Sequence, residues 1–174
     1  MSRSRLRDLG IAIGALPTGE HNAITDVPGV QVGHHTLRFD EPSVGRTGVT
    51  VIEPRSGRGI WRDYAFAGFH SLNGCGEMTG VHWISESGML TTPIAITNTF
   101  DVGTAHHALV RWGQERERLP SFSLPVAAET HDGWLNDPRA RVTETTRGRL
   151  GRVVYEIPLE TLREAMGKYG RGQG

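Results

Sequence analysis

Two carboxylates in this 174-residue chain stand where acid–base or binding chemistry could be done. Glu77 follows the glycine-rich turn NGCG, and Glu86 lies in the short polar segment HWISESG near Trp83. A carboxylate in a partly buried pocket can bind a substrate ammonium or hold a shifted pKa for proton transfer. Read locally, either is equally an exposed strand or loop residue. Asn73, Asn98 and Asn136 lie in turn-like contexts, where asparagine ordinarily satisfies nearby backbone. The same side-chain amide can also donate to a developing oxyanion.

Other reactive residue types point less far. The eight histidines include two adjacent pairs, His34-His35 and His106-His107, whose side chains point to different faces in a strand or a helix. Neither pair gives the i, i+4 spacing that chelates zinc, and His82 and His131 are isolated. No metal and no cofactor is expected. The lone Cys75 excludes an internal disulfide framework and a multi-cysteine zinc site. No positive neighbour activates its thiol, so it reads as a small turn residue. Neither a G-x-S-x-G elbow nor a phosphate-binding G-x-x-x-x-G-K-[ST] loop is present.

The elements that must position these groups are short. Leu9–Ile13 reads as a strand, as does Val30–Leu37, where alternation has a period near two. Gly48–Glu53 is a third β-rich run, closed by Pro54. Residues 64–100 are divided by glycine and asparagine into short extended pieces. The last of them, Pro93–Thr97, is apolar enough for a strand buried on both faces in mid-sheet. One helix is expected from a cap at Asp101, with Val102, Ala105, His106, Leu109 and Val110 at helical spacing and Pro120 as its stop. Ser123–Glu129 returns as a strand and HDGWLNDP as a turn-rich connection. A strand at Arg152–Ile157, a short helix from Pro158 to about Met166 and a disordered end complete the expectation. Short strands with few helices and 23 glycines fit an α+β layered domain, and periodicity alone does not choose among layered folds.

Composition removes several classes. The 19 basic and 19 acidic residues balance, so no global field favours nucleic acid or an anionic membrane. No apolar run approaches the roughly 20 residues that span a bilayer. The arginine-rich opening is not read as a secretory leader, and a soluble cytoplasmic protein is expected. Charge is uneven along the chain: residues 139–174 hold 8 basic and 4 acidic side chains.

Several stretches together resemble a known family. RDLGIAIG, NAITDVPGVQVGHHTL, GRTGVTVIEPR, AGFHSLNGCGEMTGVHWISESG, PIAITNTFDVG and ETHDGWLND are similar, in this order, to the amino-terminal part of the P1-family (S58) peptidases. That group includes the L-aminopeptidase/D-amidase-esterases and the β-peptidyl aminopeptidases. The resemblance covers residues 7 to about 137. It implies an N-terminal-nucleophile hydrolase made as a self-cleaving precursor, in which the new α-amino group serves the serine hydroxyl as base. It further implies a four-layer αββα sandwich, homo-oligomers, and a small peptide or amino-acid amide substrate with a free N-terminal amine. By motif position, Glu77, or Glu86 as second choice, is the candidate for the substrate ammonium. Asn136 in LND is the candidate oxyanion donor.

The resemblance leaves the nucleophile half unmatched. Residues 1–137 are expected to form the amino-terminal part of the peptidase domain, and 138–174 a divergent tail of the kind a frameshift or premature stop would produce. On this reading the chain is inactive alone and associates with itself or with a complementing subunit, because an exposed inner sheet face lacks its cover. Two other readings stay open. One is acyl transfer of the ornithine acetyltransferase type; the other is a non-catalytic binding or regulatory subunit that retains the pocket.

Overall fold

The computed structural model describes residues 4–41, 44–55, 60–117 and 123–136. The strand expected at 152–157, the helix from 158, the disordered end and the stop at Pro120 lie outside them. Six strands and two helices occur within the described residues: β1 (Gln31–Phe39), β2 (Gly45–Glu53), β3 (Ala65–Phe66), α1 (Val81–Ser87), β4 (Met89–Leu90), β5 (Ile94–Asn98), α2 (Val102–Glu117) and β6 (Val126–Thr130).

Four strands form one mixed sheet in the order β1-β2-β5-β6, so the fold is a mixed α/β arrangement. β1 and β2 are an antiparallel hairpin paired over nine rungs, from Gln31 opposite Glu53 to Phe39 opposite Gly45. β2 and β5 are antiparallel, while β5 and β6 run parallel with Ile94 opposite Val126 and Asn98 opposite Thr130. A parallel pair needs a crossover, and α2 supplies it. The expected apolar strand near Pro93–Thr97 is therefore interior to the sheet, as its composition required.

Alternation along the strands decides the core. Val49, Val51, Ala95 and Ala127 point to one face and are at most 2% exposed. There they meet Val102, Ala105, Ala108 and Leu109 of α2 in one cluster, with Trp112 at its border. Four of these eight core residues are alanines, which lets the helix axis approach the sheet closely. Trp112 in turn packs against Trp61, with ring centroids 5.7 Å apart. A second cluster of Ile84, Leu90 and Val126 seats α1 and the small β3–β4 pair on the opposite face, near the Val126 end only.

Two expectations are corrected. The segment Leu9–Ile13 is not a strand: Leu6–Leu9 form one 3-10 turn, and the chain then leaves through Gly10 at φ 78°. The Asp8 carboxylate accepts from Arg5 N at 2.9 Å, a local bond that competes with any ladder. Likewise, residues 81–87 are helical, not extended. Gly80 at φ 76° and Gly88 at φ 69° bracket that helix, and Ile84 anchors it in the second cluster. Glu86 thus sits on a helix.

Candidate functional site

Parallel pairing puts the carboxyl ends of β5 and β6 side by side, so the turns that follow them face one another. This is where open α/β sheets commonly hold ligands. The first turn, Thr99–Asp101, is a single 3-10 turn leading into α2. Asn98 organises it. Its Oδ1 accepts from Phe100 N at 3.1 Å, and its Nδ2 donates to Thr47 Oγ1 at 3.1 Å and to the Asp101 carboxylate. Both Asn98 and Asp101 are buried, and burial makes such a satisfied network costly to break.

The second turn follows β6. Leu135 N donates to Asp132 O at 2.8 Å, and Asn136 Nδ2 donates to the same carbonyl at 3.0 Å. Asn136 is 7% exposed, and its Oδ1 accepts from the backbone N–H of Arg46, 90 residues away in sequence. Arg46 is itself gripped: its guanidinium donates to Phe39 O at 2.6 Å, to Gly45 O at 2.7 Å and to the Asp40 carboxylate. That guanidinium holds Asp40 below the ordinary carboxylate value of 3.8. The hairpin end and the turn after β6 are thereby joined through one side-chain amide.

Between the two turns lies a cavity of about 360 Å³ lined by Thr99, Phe100, His131, Asp132, Trp134 and Asn136. A shallower concavity of about 280 Å³ adjoins it across Asp132. Its lining includes His34, Thr36, Thr50, Ile96 and Thr130 on the sheet face that α2 does not cover. His34 Nδ1 and Thr50 Oγ1 lie 2.9 Å apart on that face. Among the described residues, no three His, Cys, Asp or Glu side chains are grouped to hold a metal ion. No helix of the described residues is long and apolar enough to cross a membrane.

The residues singled out from sequence are not all brought together. Asn136 lines the larger cavity. Glu77 is exposed and lines neither concavity, but the segment 77–79 runs antiparallel along β6. Glu129 N donates to Glu77 O at 3.0 Å and Thr79 N to Ala127 O at 2.9 Å, which sets Glu77 opposite Glu129. Glu129 is two residues before His131, about 7 Å along a strand. Glu86 is carried by α1, whose anchor Ile84 packs with Val126 at the other end of β6. The structure therefore separates the two carboxylates and leaves Glu77 nearer the cavity.

Sequence reasoning missed the aromatic walls, Phe100 and Trp134, and the histidine at the rim, His131. The expectation that Asn98 satisfies nearby backbone holds at Phe100 N, but its further bonds to Thr47 and Asp101, which hold one wall in place, were not foreseen. The signal lay in the order of TNTF and HDGWLN: each follows a strand, and only parallel pairing of those strands makes them neighbours.

Known proteins are similar to this chain in sequence and fold. The model of peptidase family S58 matches residues 22–174. Beta-peptidyl aminopeptidase BapA of Sphingosinicella microcystinivorans is 42% identical over 139 residues, 76% of this chain and 34% of that protein. Its namesake from Sphingosinicella xenopeptidilytica is 43% identical over 142 residues, 76% of this chain and 35% of that protein. Among solved structures, a Burkholderia sp. beta-aminopeptidase superposes with a TM-score of 0.70 at 53% identity, over 77% of this chain and 38% of that one. The L-aminopeptidase D-Ala-esterase/amidase from Ochrobactrum anthropi, described as a prototype for the serine aminopeptidases and a variant of the Ntn hydrolase fold, superposes with a TM-score of 0.74 at 37% identity. That match covers 95% of this chain and 44% of that one. The chain thus spans about a third of the length of the curated relatives it matches.

Proposed function

Because the chain belongs to peptidase family S58, we propose that it carries the carbonyl- and amine-binding part of a serine aminopeptidase acting on small peptides or amino-acid amides with a free N-terminal amine. The observation that carries this reading is the held amide of Asn136. A primary amide has two N–H hydrogens. One Nδ2 hydrogen is used on Asp132 O, and Oδ1 is fixed by Arg46 N, so one hydrogen remains for a ligand at the wall of the 360 Å³ cavity. A donor already held in place stabilises charge developing on a carbonyl oxygen without reorganising as the reaction proceeds.

Glu77 is the ammonium partner on this reading, in preference to Glu86. It lies opposite Glu129 beside the cavity end of β6, and two like charges facing each other favour a cation between them. No described residue lining the cavity is a serine or a cysteine. The nucleophile on this reading comes from polypeptide outside the described residues, released by self-cleavage so that its α-amino group is the base. The same reading lays a second sheet over the face that α2 leaves open, completing a four-layer αββα sandwich in a homo-oligomer. A free, exposed Cys75 suits the reducing cytoplasm.

The test uses the purified chain with alanine and β-homoalanine p-nitroanilides. Release of nitroaniline by the pure chain would overturn the placement of the nucleophile. Titration with alaninamide, followed by amide NMR, should shift the Asn136 side-chain signals, and Glu77→Gln should weaken the binding roughly tenfold or more by removing one charge partner. Unmoved Asn136 signals at saturation would remove the oxyanion role.

A further inference from the structure

Phe100 and Trp134 face the same cavity from its two turns, and neither ring takes part in the bonds that build those turns, Phe100 contributing only its backbone N–H to Asn98. The Thr99–Asp101 turn is held by Asn98 and Asp101, and the 132–136 turn by Asp132 O, Asn136 and Arg46 N. Their rings are nevertheless open to solvent, Phe100 at 70% and Trp134 at 92% exposure. Two large aromatic side chains set on hydrogen-bonded turns, with space between them, offer apolar area at modest cost in conformational entropy. The space, about 360 Å³, is near the lower limit of small-molecule sites and fits a group about the size of one residue.

Resting on the reading of Asn136 as the carbonyl donor, we propose that Phe100 and Trp134 form the specificity subsite for the side chain of the residue whose amide is cleaved. The class of ligand follows from the lining. An aliphatic or aromatic side chain is covered by the two rings. An acidic side chain is rejected, because Asp132 is the one carboxylate among the described lining residues and it lies on the same turn as Trp134. Removing a favoured apolar group from such a pocket weakens binding by roughly tenfold to two-hundredfold.

The full chain can be tested directly. The indole signal of Trp134, assigned by its loss in Trp134→Phe, is followed during titration with leucinamide, glycinamide and the α-amide of glutamic acid. Leucinamide should shift Trp134 and the Asn136 side chain together, with glycinamide at least roughly tenfold weaker and the glutamic amide weaker still. Phe100→Ala and Trp134→Ala should reduce the leucinamide-to-glycinamide ratio toward one; both side chains are exposed, so folding is spared. Equal affinity for leucinamide and glycinamide would overturn the subsite. So would a Trp134 that is already shielded in the free protein, shown by blue-shifted emission and resistance to acrylamide, because its ring would then be packed against other polypeptide. Side-chain selectivity that persists in Asn136→Ala supports the subsite while discarding the oxyanion role, which keeps the two claims separable.

Discussion

Among the described residues, one face of the four-stranded sheet is sealed by α2 and the other is covered only at one end, although the same four strands make both. On the sealed face Val51, Ala95 and Ala127 are fully buried and Val49 nearly so. On the other, Thr50, Ile96 and Ala128 are half-buried, while His34, Thr36 and Thr130 are exposed. The difference is one of residue type as well as coverage. Small and branched apolar residues admit a closely packed helix, whereas threonine and histidine leave hydroxyls and an imidazole facing outward. Stability is concentrated on the first face. The concave surfaces, and the residues assigned to binding, lie at the carboxyl ends of β5 and β6 and on the second.

The strongest way to break this contrast is truncation in the sealed core. Leu109→Ala removes a fully buried side chain from the α2 cluster and should cost about 2–5 kcal/mol. Ile96→Ala on the open face should cost about 1 kcal/mol, because much of that side chain is not withdrawn from water. Urea unfolding of both variants measures the gap. Equal losses would mean that something covers Ile96 as thoroughly as α2 covers Leu109.

A smaller effect is expected where the two regions meet. Asn98→Ala removes one hydrogen bond from the buried Asp101 carboxylate and one from the Phe100 amide, and should cost about 1–3 kcal/mol. It should also loosen the Phe100 wall, seen as line broadening of Phe100 and Trp134 signals with the β1–β2 hairpin signals unchanged. A change confined to the hairpin would contradict the role given to Asn98.

The smallest expected effect is one of pH. His106 on α2 is pushed below its ordinary value of 6.5 by burial, with His107 adding to the shift. The folded chain therefore prefers the neutral ring. That contribution is complete above pH 6.5 and is lost as pH falls from there through the lowered folded value, because the unfolded chain takes up the proton first. An NMR titration of His106 should show the low midpoint, and His106→Gln should flatten the dependence of the unfolding midpoint over this range. An upward shift for His106 would place it outside the packed side of α2.

Much of the scaffold is legible in the sequence. The strand β1, the apolar β5 and the helix α2 each carry a local pattern strong enough to survive packing: alternation in the first, the apolar run Pro93–Ile96 in the second, helical spacing in the third. Leu9–Ile13 misled because its apolar residues have no strand to pair with, and the Asp8–Arg5 bond and Gly10 favour a turn. α1 was hidden because its sequence, VHWISES, contains β-branched and aromatic residues. The brackets at Gly80 and Gly88 and the seat under Ile84 outweighed that propensity.

For the site, the chain alone determined which chemistry was at hand: an amide in the LND stretch, a carboxylate after NGCG, and no set of residues spaced as a zinc site. These follow from residue identity, which is local. Which groups meet was decided by tertiary structure. Parallel pairing of β5 with β6 set TNTF against HDGWLN, the Arg46 backbone reached across 90 residues to fix Asn136, and Glu77 was drawn along β6 while Glu86 was carried to its other end. Hydrogen bonds between segments far apart in sequence carry no periodicity and no spacing rule, so they become visible only when the strands are paired.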